Sequence, residues 1–444
     1  MQAAIPNDVQ EILNTLTGAG CSAWCVGGCV RDTLLGREPD DWDVTTSARP
    51  EEVQTLFGSR AFPTGLQHGT VTVKTGEQAV EVTTYRCDGT YADHRHPDSV
   101  AFSDTLEEDL CRRDFTVNAL AMDASGNLRD LFGGQVDLHA GLLRCVGDPE
   151  KRFEEDALRI LRCLRFSAVL GFAIEEETAA AIHRKKELLT LIAVERIRVE
   201  FLKLLCGQNA AAILREYTDV LGVFLPELLP AVGFDQRNRH HCYDVWEHTI
   251  HAVEAVRAEP IERMVMLLHD LGKPGTFTVD AEGNGHFFGH PVKSGAIASE
   301  VLHRLKFDSS SAAVIEVLVE RHDRPILPEE KSVRRALRQL GEENLRRLLE
   351  VKRADNLAQS PEYLGRQTDY DRVEAILDAL LAQDACFSLK QLAVHGDDLT
   401  AMGLRGKEVG QTLNRLLDAV VDGTLPNERV ELMNAARKMK GNLS

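Results

Sequence analysis

The chain has 444 residues, 43% hydrophobic and 27% charged, with a formal net charge of −18. That length exceeds what one hydrophobic core serves, so two to four domains are expected, and the acidic balance excludes a protein that coats nucleic acid through a basic footprint, though not one that takes RNA as a substrate. Ten cysteines without a Cys-x-x-Cys pair read as reduced thiols of a cytoplasmic protein, and neither a signal pattern nor an apolar run of about 18 residues is present to support secretion or membrane spanning.

From residue 8 to 148 helical and β patterns mix. Ala23-Trp24-Cys25-Val26 reads as a short buried strand and Val30 to Leu35 as the start of a helix, so Gly27 and Gly28 fall where the chain turns and backbone N–H groups can approach a ligand. Arg31 adds a fork of donors suited to phosphate oxygens. Asp41 and Asp43 are two apart, which on a strand aims both carboxylates at one site while Trp42 faces away, and hard divalent ions favour such oxygens. Thr70 to Lys74 and Ala79 to Thr84 alternate like paired strands, and Glu81, expected to lie near the Asp41 strand, is a candidate third carboxylate. Cys21, Cys25 and Cys29 read as small buried residues.

This run, Val26 to Asp32 with Asp40 to Val44, resembles the polymerase beta-like head of the class II tRNA nucleotidyltransferase (CCA-adding enzyme) and bacterial poly(A) polymerase family. Asp109 to Ala119 resembles the family's Arg-Arg-Asp motif, in which Arg112 is the better candidate for a triphosphate. The polar stretch Cys87 to Glu108 reads as a mobile loop and resembles the flexible element of complete CCA-adding enzymes.

Beyond Gly147-Asp148-Pro149 the periodicity is almost entirely helical. In Glu155 to Phe166, spacings of three place Asp156, Arg159, Arg162 and, more loosely, Arg165 along one helical face. Cytosine and adenine share an amino donor beside an unprotonated ring nitrogen, and uracil and guanine reverse that order. An aspartate accepting from the amino group and an arginine donating to the ring nitrogen would admit CTP and ATP and refuse UTP and GTP. In the family the matching residues read the incoming base. Glu195 to Phe201 matches the next family motif, a brace for the neck.

A second constellation follows. Tyr243 to Thr249, Leu267 to Lys273 and Val351 to Asn356 resemble an HD-domain phosphohydrolase, in which His248, His269, Asp270 and Asp355 would hold one ion and His290 and His322 could complete a second site. Mixed imidazole and carboxylate ligands suit a transition metal such as Mn2+, Co2+ or Ni2+ better than magnesium alone. Lys331, Arg334, Arg335, Arg338, Arg346, Arg347, Lys352 and Arg353 make a basic helical stretch that could position RNA phosphates or pair with neighbouring glutamates. Gly396 to Leu399 and Gly403 to Glu408 resemble the family's tail.

The expected architecture is α+β: a nucleotidyltransferase head (8–148) followed by an all-helical neck (149–230), HD body (231–375) and tail (376–444). The resemblance implies addition of CCA to tRNA 3′ ends from CTP and ATP, with Mg2+ in the head and no membrane or obligate protein partner. A-only or poly(A) addition, an HD phosphohydrolase with an RNA-binding head, and a non-catalytic RNA-binding protein are the alternatives. The intact Asp41 and Asp43 argue against the last two.

Overall fold

The computed structural model describes residues 5–66, 69–76, 78–88, 100–383 and 386–441. Two compact units divide the chain, Met1–Pro226 and Glu227–Ser444.

The first unit opens with α1 (Asn7–Gly18), whose Val9, Ile12, Leu13 and Leu16 recur at helical spacing and are fully buried. It continues through β1 (Ala23–Val26), α2 (Gly28–Leu34), β2 (Asp43–Thr46), α3 (Pro50–Phe57), β3 (Ala61–Gly65), β4 (Thr70–Thr75) and β5 (Gln78–Thr84). Next come β6 (Arg86–Asp88), β7 (Val100–Phe102), α4 (Leu106–Cys111), β8 (Leu120–Met122), β9 (Leu128–Asp130) and α5 (Gly134–Ala140). Seven strands form one sheet in the order β3-β4-β5-β2-β1-β8-β9. Every neighbouring pair is antiparallel except β2 and β5, which run parallel with Asp43 opposite Glu81. Val44, Val71, Val73, Val80 and Val82 turn inward from β2, β4 and β5 to join the α1 residues in one core.

Residues 89–99 of the expected mobile loop lie outside the described residues. The described part of that stretch is regular: β6 and β7 pair antiparallel, and α4 occupies Leu106–Cys111.

The same unit ends in helices α6 (Pro149–Glu155), α7 (Leu158–Leu170), α8 (Glu176–Lys185), α9 (Val194–Leu205), α10 (Ala210–Glu216) and α11 (Thr218–Leu221). The expectation of one helical face from Asp156 to Arg165 needs correction. Asp156 is extended (φ −138°, ψ 103°) between α6 and α7, and its Oδ1 accepts from the Leu158 N–H at 3.0 Å. An aspartate satisfying an N–H at the start of a helix is stable there for that reason.

The second unit contains α12 (Val245–Ala255), α13 (Pro260–Leu268), α14 (His290–Arg304), α15 (Ser309–Arg321), α16 (Glu330–Leu357), α17 (Arg366–Ala382), α18 (Gly396–Ala401), α19 (Lys407–Val421) and α20 (Arg429–Gly441). A small hairpin, Thr278–Val279 with Gly285–His286, interrupts the helices. The 28 residues of α16 break at Gly341, whose φ of 74° and ψ of 171° no helix accommodates. Val333, Leu337, Leu345 and Leu349 of α16 pack with Val373, Leu377 and Leu380 of α17 in one cluster. Among the described residues no helix is long and apolar enough to cross a membrane.

Candidate functional site

In the first unit the turn after β1 is made by Gly27, at φ 79° and ψ −130°. That backbone conformation calls for glycine, and a Cβ there would stand 3.2 Å from Nη1 of Arg113, which approaches the turn closely. Asp43 opens β2, while Asp41 precedes the strand, which is shorter than expected, and is exposed. The alternation nevertheless holds: Trp42 is buried in the core on the other side. Burial, then the negative charges of Asp41 and Glu81, push the Asp43 carboxyl up to about 6 against the opposing pull of Arg113. The charges of Asp41 and Glu81 thus reach Asp43, and carboxylate oxygens of this kind are the ligands a hard divalent cation favours.

Asp109, fully buried at the end of α4, organises both neighbouring arginines. Its Oδ1 takes Nη2 of Arg112 at 2.6 Å and its Oδ2 takes Nη2 of Arg113 at 3.1 Å, with the Thr45 hydroxyl donating to Oδ2 at 3.2 Å. Arg31 donates to both oxygens of Asp32 (2.9 and 2.8 Å) and to Oδ1 of Asn118 (2.8 Å).

On the helical side, Arg162 holds Oδ2 of Asp114 through Nε and Nη2 (2.8 and 2.7 Å), and Arg165 meets Glu200 of α9 at 2.9 Å. Burial would raise the Asp114 carboxyl, but the charge of Arg162 and its hydrogen bonds prevail and bring it to about 2. The guanidinium groups of Arg31, Arg162 and Arg165 all gather on the Phe166 ring, at 5.1, 5.4 and 3.9 Å from its centre. Arg159 is buried and donates to Glu155 (2.5 Å) and to the carbonyls of Arg152 (3.0 Å) and Arg112 (2.9 Å). Oδ2 of Asp156 accepts from Arg196 at 3.2 Å.

The second unit brings its motif residues together. Nε2 of His248 lies 3.3 Å from Oδ2 of Asp270 and 3.0 Å from Oδ1 of Asp355; Nε2 of His269 lies 3.2 Å and 3.7 Å from the same two atoms. His290 and His322 approach the other oxygen of Asp270, at 3.3 and 3.6 Å. Each imidazole is oriented from behind by a backbone carbonyl at Nδ1: Ala358 for His248, Met266 for His269, Phe287 for His290 and Val319 for His322. With Nδ1 spent as donor, Nε2 of a neutral ring is an acceptor, yet Nε2 of His248 faces that of His269 at 3.3 Å and Nε2 of His290 faces that of His322 at 3.2 Å. Lone pairs that converge in two pairs astride one carboxylate fit cations between them. Burial opposes a charge on His269, but Asp270 and Asp355 outweigh it and raise that imidazole to about 10, a proton standing where positive charge is wanted. Lys273 adds Nζ at 2.6 Å from Oδ2 of Asp270.

Three families match along the chain: the Poly A polymerase head domain over residues 23–144, the RNA- and SrmB-binding site of polymerase A over 171–231, and tRNA nucleotidyltransferase domain 2 over 290–436. The CCA-adding enzyme of Lactobacillus helveticus is 51% identical over 208 residues, but that match covers 47% of this chain and 52% of the relative, about half the length of each. The CCA-adding enzyme of Lactiplantibacillus plantarum is 36% identical over 438 residues, covering 98% of this chain and 96% of that protein. The chain belongs to the CCA-adding enzyme family of nucleotidyltransferases. A crystal structure of the Bacillus stearothermophilus CCA-adding enzyme, in complex with CTP, superposes with a TM-score of 0.75 at 31% identity, covering 98% of both chains.

Within this CCA-adding family member, sequence reasoning passed over several residues that shape the sites. Arg113 rather than Arg112 is the arginine at the glycine turn, and the doubled arginine was the available signal. Asp114, Asn118 and Glu200 fix Arg162, Arg31 and Arg165 from distant positions, which no local pattern reveals. The basic stretch on α16 takes its ion-paired form: Arg334 with Glu330, Arg335 with Asp422, Arg346 with Asp378, Arg347 with Glu343 and Arg353 with Asp371. Lys352 is no phosphate contact, being buried with Nζ donating to the His322 carbonyl at 2.5 Å.

Proposed function

We propose that this chain builds CCA on tRNA 3′ ends, joining CMP and then AMP from CTP and ATP to the terminal hydroxyl as pyrophosphate leaves. The observation that carries the reading is Asp43 opposite Glu81, with its carboxyl raised by burial and then by the charges of Asp41 and Glu81, next to the glycine turn that Arg113 approaches. Magnesium held by Asp41 and Asp43, with Glu81 beside them, would lower the pKa of the attacking hydroxyl and offset charge on the α-phosphate. Gly27 and Gly28 let the backbone approach the triphosphate, Arg31 and Arg112 contribute donors, and Arg113, held by Asp109, adds positive charge at the turn. Asp156 accepts from the amino group common to cytosine and adenine while Arg159 exchanges Glu155 for the ring nitrogen, with Arg162 and Arg165 as cationic flanks. The division into head (8–148), neck (149–230), body (231–375) and tail (376–444), and a cytoplasmic location, belong to the same reading.

The test is to incubate a tRNA lacking CCA with CTP and ATP and sequence the 3′ ends. Ends in CCA are expected. Ends extended by A alone would replace this reading with A-addition, and unextended ends would remove nucleotidyl transfer.

The His-Asp cluster favours a second activity, metal-dependent hydrolysis of a phosphate ester in the body. His248, His269, Asp270 and Asp355 would hold one transition metal, Asp270, His290 and His322 a second, and the metal would supply an activated water. Purified protein assayed with Mn2+, Co2+, Ni2+ and Mg2+ in turn, on a 2′,3′-cyclic nucleotide and a generic phosphodiester, is expected to turn over. No turnover, together with no bound metal by elemental analysis, would reduce the cluster to a structural one.

A further inference from the structure

We infer that Phe288, beside His286, is a stacking platform for a nucleobase at the mouth of the His-Asp cavity. The inference rests on the phosphohydrolase reading of the body and names a residue that would hold the base of a nucleotide there.

Phe288 is 79% exposed. A solitary exposed phenylalanine is ordinary, but this ring is held parallel to another aromatic ring. Its plane lies 9° from that of His286, with the ring centres 5.4 Å apart. His286 is itself fixed, since its Nε2 lies 2.9 Å from Oδ2 of Asp280. Asp280 in turn accepts from the N–H groups of Glu282 and Asn284 and from the Asn284 amide, which closes the hairpin turn. Phe288 is therefore flanked by a braced ring that lies parallel to it and offset, and its exposure leaves a ring face open to solvent. A flat π-surface presented this way accepts any base, because every base has a π-face.

Position supplies the second half of the argument. His286, Phe288 and the ligand set Asp270, His290, His322 and Asp355 line the same cavity, of about 320 Å³. That volume lies within the range of small-molecule sites. Phe288 is two residues from His290, and Phe287, the residue before it, packs edge-on against the His290 ring and carries Lys273 over its face at 5.3 Å. A nucleoside phosphate has the same layout: a flat base at one end, one ribose, then the phosphate. Arg366 on the cavity wall offers a guanidinium for the phosphate oxygens.

The experiment uses the full-length protein stripped of metal by a chelator. Phe288→Trp places a reporter on the platform, titrated with adenosine 2′,3′-cyclic phosphate, with the base-free methyl riboside 2′,3′-cyclic phosphate, and with a short RNA ending in a 2′,3′-cyclic phosphate. Quenching of the added tryptophan emission by the two base-bearing ligands and not by the base-free one is expected. Phe288→Ala should weaken nucleotide binding about tenfold and leave base-free binding unchanged, in keeping with the usual strength of base stacking on an aromatic side chain. Tighter binding of the RNA assigns the platform to an RNA end, and equal binding assigns it to free nucleotides; both outcomes support a base on Phe288. Equal quenching by the base-free ester, no quenching at all, or an equal loss on both ligands in Phe288→Ala overturns it. Because binding is read without metal, a body that hydrolyses nothing would sink the phosphohydrolase reading without altering this result.

Discussion

Asp43 and Glu81 stand opposite one another on β2 and β5, the single parallel pair in the seven-stranded sheet. Parallel neighbours in register send their side chains to the same face, so two acids far apart in the chain share one site and one electrostatic cost.

That shared cost yields the first prediction. Asp41→Asn or Asp43→Asn should abolish CMP and AMP incorporation while tRNA affinity, measured by filter binding, stays near wild type. Losing a metal ligand should raise the barrier by several kcal/mol, so residual incorporation above about a tenth of wild type would contradict the assignment.

Base choice is tested at Asp156. Its Oδ1 caps the Leu158 N–H, so Asp156→Ala should cost about 1 kcal/mol of stability as well as admit UTP or GTP. Asp156→Asn keeps a capping oxygen but replaces the other acceptor with a donor. It should keep stability and lose selectivity. Misincorporation unchanged in both variants would leave Asp156 a structural residue only.

A pH experiment isolates the Asp114–Arg162 pair. The carboxyl is depressed from about 3.9 in an unfolded chain to about 2 when folded. A depressed carboxyl stabilises fully above its unfolded pKa, and that contribution is lost as pH falls through the folded value. Asp114→Asn should therefore lower stability by roughly 2 kcal/mol at pH 7, with the gap to wild type closing by about half near pH 3. Urea midpoints across pH 7 to 3 read this out; a gap that widens on acidification would have the wrong sign.

For the body, His269→Ala should remove bound transition metal and phosphoesterase activity while CCA addition continues at the wild-type rate, because on the proposed reading His269 would ligate in the second compact unit and the nucleotidyl-transfer carboxylates lie in the first. Elemental analysis and the two activity assays check it together. A fall in CCA addition as large as the fall in hydrolysis would mean that the two sites do not act separately.

Legibility in the sequence followed the range of the interactions. Gly27-Gly28, Asp41 and Asp43, and the β4 and β5 alternation are local patterns, and each could be read directly. The His-Asp cluster was readable because its order along the chain resembles a known motif, although only the fold brings His248 within 3.0 Å of Asp355. The break at Asp156 was hidden by its neighbours: arginines at 159, 162 and 165 keep helical spacing, so the pattern ran one turn too far. An aspartate just before an apolar helix was the available warning. Glu200 beneath Arg165 and Asp114 beneath Arg162 are pairings between separate elements, with no trace in local periodicity.

The left-handed Gly341 makes α16 two levers joined by a pivot instead of one rod. The lever before it is strapped to α19 by Arg335 on Asp422, and the lever after it delivers Asp355 to the histidines. Rotation of α19 can be absorbed at the pivot, as φ and ψ there are not tied to helical values, before it moves Asp355. Movement of α19 with the first lever could thus leave the His-Asp cluster as it stands.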